Sequence, residues 1–222
     1  MSETLQSGEP APRRRLRVPG FGVFAGMLLL FGASSFGDTP DTRDITRQVA
    51  DYFTTNRTSV LVGCVLFALG LLGLLAVGAK IAVLIDAGGE PGIGRFIQST
   101  ATVAATLMLS TIVLIDASLS YVIGEEVPDM AKGLFELTLV ATPVVALILA
   151  GLLGGTAVGM RRTGVGRRWF MILSAAMAAL LAVTAVSFAR SGPFSPDVQQ
   201  QTMLFSLVVW LVLSGRGTRS HA

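Results

Sequence analysis

The chain has 222 residues, of which 52% are hydrophobic and only 14% charged, with a formal net charge of +3 and a mean hydropathy of +0.68. Soluble domains carry about 25% charged residues, so this chain is too poor in charge to cover a water-facing surface. A single cysteine, Cys64, and a single histidine, His221, exclude a disulfide framework, a Cys/His zinc site, a bis-His haem site and a Ser-His or Cys-His dyad.

A bilayer core needs about 20 predominantly apolar residues per helix. Six stretches meet or approach that length, near 18–37, 59–80, 97–123, 134–160, 169–189 and 199–214. The first follows a basic tail, 1–17, which holds Arg13, Arg14, Arg15 and Arg17. A basic stretch, an apolar run and small residues also mark a cleaved signal peptide. This apolar run, about 19 residues, exceeds a usual signal core, and Gly32-Ala33-Ser34 is a poor cleavage site. The segment is therefore read as a span.

The following stretch, 41–56, reads as a short amphipathic helix outside the bilayer. Thr39-Pro40-Asp41 supplies a helix start, with a capping hydroxyl, a proline at the first turn and an acid near the positive helix end. Ile45, Val49, Tyr52 and Phe53 then recur at i, i+4, i+7 and i+8 as one apolar face. A helix lying flat on the outer leaflet is favoured over a lid on an outward-facing cavity.

The second span can run on to Ile85, with Lys80 snorkelling. The glycine-rich turn from Gly88 to Gly94 lacks the lysine and flanking strand of a phosphate loop, and no dinucleotide fingerprint is present. No nucleotide partner or other cofactor is expected, and no soluble segment is long enough for an appended domain.

The third span carries polar residues through its length. At about 100° per residue, Gln98, Ser99, Thr102, Thr106, Ser110, Asp116 and Ser120 fall within roughly a 120° sector. Such a stripe is costly against lipid and should face other helices. It is either an interhelical hydrogen-bonding seam, the favoured reading, or one wall of a polar cavity. Asp116 lies about 9 Å below the outer end, and Glu136 sits near the outer end of span four. An ionisable group at depth is a functional candidate whose partner must be named. The candidate partner is Arg190, at the outer end of span five. Span four adds Gly151, Gly155 and Gly159 at a spacing that lets helices approach, and Pro143, expected to kink it.

Loop charge sets the orientation. Lys80, Arg95, Arg161, Arg162, Arg167, Arg168, Arg216, Arg219 and the tail arginines place twelve of the 17 basic residues on the side of the termini. The expectation is an all-α integral membrane protein: a six-transmembrane-helix bundle over 18–214, with N and C termini cytoplasmic, a second tail at 215–222 and residence in the cell membrane. The positive charge reflects this topology, so no nucleic-acid partner is expected.

The run Arg162-Thr163-Gly164-Val165-Gly166-Arg167-Arg168-Trp169 leads into an Ala/Leu-rich span. It resembles a junction, typically R-T-G-V-L-P-R-W, of uncharacterised six-span membrane proteins of high-GC Gram-positive bacteria. Gly166-Arg167 stands here where that family has Leu-Pro. Residues 41–57 resemble the family's first outer loop, and Gly88-Gly89-Glu90-Pro91-Gly92 its E-G-G-P-G turn. The resemblance covers most of the chain after residue 38 and implies the six-span architecture. It carries no established activity.

Two functions follow from the residues. The favoured one is non-enzymatic: a small transport or channel component, or a membrane subunit acting with a protein partner or a second copy. The alternative is an integral membrane enzyme acting on a lipid or prenyl substrate, with Asp116 and Glu136 as its acid and base. The polar-cavity candidates are Gln98, Thr102, Thr106, Ser110, Asp116, Ser120 and Arg190.

Overall fold

A computed structural model describes residues 20–40, 46–89, 92–123, 127–185 and 196–218. These residues are helical apart from the turns that join them. In chain order the helices are α1 (Phe21–Ser34), α2 (Thr46–Thr55), α3 (Arg57–Ala87), α4 (Ile93–Ser118), α5 (Pro128–Thr163), α6 (Arg168–Ala185) and α7 (Pro196–Gly217). A π-helical turn, Leu119–Ile123, extends α4.

Among the described residues, five helices, α3 to α7, are long and apolar enough to cross a bilayer. The first is apolar but has 14 helical residues, against the 18–37 expected for span one. The others run past most of the expected limits: α3 reaches Ala87 and α5 begins at Pro128. The outer surface shows what solvent they suit. Val65 and Leu72 on α3, Leu107 and Leu114 on α4, Val140 and Leu147 on α5, and Phe205 on α7 are all exposed. An apolar surface this continuous is unfavourable in water and is what a multi-span helical bundle presents to lipid.

The helices close a ring in which α1 touches α3 and α7, and α3, α4, α5, α6 and α7 follow one another around it. One end of the ring, holding Gly88, Gly92 and the α5–α6 turn, is drawn tight by backbone approach. A Cβ on Gly94 would lie 2.5 Å from the Gly159 amide nitrogen, one on Gly155 2.6 Å from that of Gln98, and one on Gly22 2.3 Å from the Leu211 carbonyl oxygen. Only glycine permits such contacts, and in lipid they replace the hydrophobic drive that is missing between helices. Leu74, Ile81, Ile85, Leu152, Leu153, Trp210 and Leu211 fill this end as one dry core. The Trp210 indole N–H donates to Ser174 Oγ at 3.1 Å, so its polar atom is satisfied at depth.

The turns hold this end together. Gly164, at φ 67°, ends α5 in a left-handed cap. The Arg167 amide donates to the Gly217 carbonyl at 2.8 Å, and Arg95 pairs with Asp86 at 2.8 Å across the glycine-rich turn. At the opposite end α2 lies across the bundle. Its Val49 and Phe53 are buried with Val60, Leu119, Phe135 and Leu139 in a second, smaller core, while Arg47, Gln48 and Asp51 are exposed. Pro143 lies within the continuous helix α5. It removes the amide that would bond the Leu139 carbonyl.

Two glycine substitutions separate close approach from simple helix propensity. Gly155→Val drives side-chain atoms into the α4 backbone and is expected to destabilise the protein by about 1–3 kcal/mol. Nothing lies within 4 Å of a Cβ on Gly133, so Gly133→Ala is expected to stabilise it by about 0.5–1 kcal/mol. Thermal unfolding of the purified protein in detergent micelles measures both. Equal effects would place the α4–α5 contact outside the folding energetics.

Candidate functional site

A cavity of about 430 Å³ opens inside the ring at the end crossed by α2. That volume is in the range of small-molecule sites. Its roof is α2 together with Phe36, Gly37 and Thr39. Tyr52 donates its phenolic proton to the Phe36 carbonyl. Phe53 stands edge-on to Phe135, with ring centroids 5.9 Å apart, and Tyr52 edge-on to Phe53 at 5.0 Å. The roof is thus an edge-to-face aromatic cluster pinned by one hydrogen bond. Its sequence origin is the i, i+4 face of α2, which buries Val49 and Phe53 and places Tyr52 over the opening.

The walls come from five helices, α3 contributing Phe67. Leu109, Ile112, Val113 and Asp116 of α4 face Phe135, Thr138 and Thr142 of α5. Gln200, Met203 and Leu207 of α7 and Leu30 and Ala33 of α1 complete the circuit. The floor is the dry core, reached at Leu149 and Leu207. The rim is open to the outside of the protein, since Ser34, Gly37, Thr39 and Gln201 line the cavity and are exposed.

The polar lining is sparse. Thr138 and Thr142, both buried, donate to the Phe135 and Thr138 carbonyls at 2.8 and 3.3 Å. These are the back-bonds that let a threonine sit in an apolar helix. Gln200 Nε2 reaches Thr142 Oγ1 at 3.4 Å. Asp116 supplies the sole carboxylate of the described lining and has no ion pair or hydrogen bond among the described residues. On the roof, burial and then the Asp116 carboxylate push the Tyr52 phenol up to about 12, so it remains a proton donor to Phe36 throughout the neutral range.

No family model, curated protein or solved structure matches the chain.

The structure disperses the residues that the sequence grouped. Gln98, Thr102 and Thr106 are buried but lie outside the cavity lining. Gln98 Nε2 donates to the Gly78 carbonyl at 3.0 Å, and Thr102 and Thr106 bond the Gln98 and Thr102 carbonyls. They form a buried, hydrogen-bonded seam of α4 against α3 and α5. Ser110 is exposed. Ser120 is buried in the π-helical turn, outside the lining, with no hydrogen-bond partner for its Oγ among the described residues. Of the stripe, Asp116 alone faces the cavity. Glu136 is exposed and pairs with Lys132 at 3.8 Å, so it does not join Asp116 as an acid–base pair. Arg190 lies outside the described residues. Among the described residues no group of three or more His, Cys, Asp or Glu side chains could hold a metal ion.

The contributors missed by sequence reasoning are Thr138, Thr142 and Gln200, whereas Tyr52 and Phe53 of α2 line the cavity as in the lid reading that the sequence placed second. Thr138 and Thr142 share an i, i+4 face with Phe135 and Leu149, a signal visible in the sequence but common in membrane helices. Gln200 belongs to a polar run, 199–201, that reads as the mere flank of span six.

The roof is testable through Tyr52. Its phenol is about 10 when free and about 12 in the folded protein. The unfolded chain therefore loses this proton first on raising the pH. The roof's contribution is complete below pH 10 and falls between pH 10 and 12. The chain has 2 tyrosines. The phenolate absorbance difference between the wild type and Tyr52→Phe is expected to develop near pH 12. A difference developing near pH 10 would show the phenol to be unburied.

Proposed function

We propose that this chain is a six-span protein of the cell membrane, with both termini cytoplasmic, whose chamber receives a small molecule from outside the cell: the binding component of a transport system, or a small transporter. The observation that carries the reading is the asymmetry of the bundle. The chamber is open at its rim and lined by side chains of α1, α3, α4, α5 and α7, whereas the other end is shut by glycine-mediated contacts and an apolar core.

Orientation follows from charge. Among the described residues the shut end carries Lys80, Arg95, Arg161, Arg162, Arg167, Arg168 and Arg216, and the open end Arg47, Arg57 and Lys132. Basic residues collect on the cytoplasmic side, so the chamber faces outward. The count of six rests on α1. It packs along α3 from Gly73 to Gly63 and along α7 at Gly22 and Gly26, and turns Phe24 and Phe31 outward like its neighbours. Kinship with the six-span family of high-GC Gram-positive bacteria is part of the same proposal and rests on the turns at 88–92 and 162–169.

Single cysteines at Ile112, Val113 and Gln200, which line the chamber and are half-buried, in a Cys64→Ala background test the reading. A membrane-impermeant thiol reagent added outside the cell is expected to label all three and to spare cysteines at Thr102 and Leu74. Failure at the three chamber positions would overturn the outward-facing chamber. Labelling at Thr102 or Leu74 would replace it with a continuous aqueous path.

A further inference from the structure

The chamber's hydrogen-bonding groups share one bias. The hydroxyl protons of Ser34, Tyr52, Thr138 and Thr142 are all spent on backbone carbonyls of the protein itself. One amide proton of Gln200 goes to Thr142 Oγ1. What remains inside is mainly acceptor: both oxygens of Asp116 in its ionised form, the Gln200 carbonyl and the lone pairs of the threonine and tyrosine oxygens. Free donors are confined to the second Gln200 amide proton and to rim groups such as Gln201. Around these acceptors stand the rings of Phe36, Tyr52, Phe53, Phe67 and Phe135, whose faces are electronegative.

We infer that the chamber selects an amphiphilic monocation: a primary ammonium group on an apolar body, its N–H donors held by Asp116. The inference rests on the chamber being an outward-facing binding site and names the class of molecule it takes. The physical argument is one of complementarity. A partly enclosed carboxylate among apolar side chains is costly unless a positive charge accompanies it. Among the described residues no basic side chain pairs with it. A ligand ammonium supplies both the missing charge and the missing donors, with a charge-assisted hydrogen bond to the carboxylate. An anionic ligand meets like charge, and a neutral alcohol leaves Asp116 uncompensated. The apolar body has the remaining lining, Leu109, Ile112, Val113, Met203 and Leu207, as its surface.

Calorimetric titration of the full chain in nanodiscs of zwitterionic lipid, with empty nanodiscs subtracted, tests this with three probes of one apolar body: phenylbutylamine, phenylbutanol and phenylbutyrate. Phenylbutylamine, protonated at neutral pH, is expected to bind about tenfold or more tightly than the alcohol, and the carboxylate most weakly. Asp116→Asn is expected to abolish that preference and Asp116→Glu to retain it, both variants eluting as the wild type does on size exclusion. Equal binding of amine and alcohol, a preference that survives Asp116→Asn, or no binding of the amine overturns the inference. In each case the cysteine labelling of the chamber is read independently. A preserved amine preference with an unlabelled chamber places the cation site elsewhere and overturns both readings.

Discussion

Three helix backbones meet around Gln98. Its amide nitrogen faces the place where a side chain on Gly155 would stand, and its own side chain reaches the Gly78 carbonyl. Gly78 in turn presses on Thr102, which leaves no room for a Cβ there. The contact works because each partner gives up something: α3 and α5 give up side chains, and α4 gives up polar atoms that lipid would not solvate. In a bilayer, where apolar burial between helices gains little over contact with lipid tails, this combination of close backbones and interhelical hydrogen bonds holds the bundle together. The rest of the arrangement follows from its being at one end. Where the small residues give out, α4 and α5 carry Leu109, Ile112, Phe135 and Thr138 instead, and a chamber takes the place of the seam.

The chamber needs a cover on only one side, and α2 provides it cheaply. A ten-residue helix is too short to be stable alone. It is kept by burying Val49 and Phe53 on Phe135 and Leu119, by the Tyr52 bond to Phe36 and by running through Asn56 into α3. The Arg57 guanidinium lies 4.9 Å from the Tyr121 ring centroid, which ties that junction to the turn following α4. The cover is therefore linked to three of the elements around it, while its outer face remains polar.

How much of this is legible in the sequence depends on how far apart the cooperating residues lie. The membrane class follows from composition, and the helices from runs of apolar residues, because each is a local property. The amphipathic face of 46–55 is equally local. Asp116 stands out because a lone acid in an apolar run is rare. The stripe on α4 is a subtler case. Its period shows that Gln98, Thr102 and Thr106 face protein, but whether that protein is a dry seam or a wet wall depends on Gly78 and Gly155, which lie on other helices. The threonines of α5 and the glutamine of α7 become a lining only once the ring closes, and no pattern within either helix announces it. Glu136 shows the converse. It lies in an apolar run, yet it stands on the exposed face of α5, one turn from Lys132.

Pro143 gives α5 two mechanical parts. Below it the helix is clamped to α4 through Gly155 and Gly159. Above it the same helix carries Phe135, against which the roof rests, and both threonines of the chamber wall. The missing amide leaves the Leu139 carbonyl without its intrahelical bond, so the joint bends more easily than the helix on either side. Phe135 stands eight residues from it, an arm of about 12 Å. A bend of about 10° there moves the ring by about 2 Å and leaves the clamp undisturbed. Compliance is thus concentrated at the waist of α5, between the chamber wall and the closely packed far end of the protein.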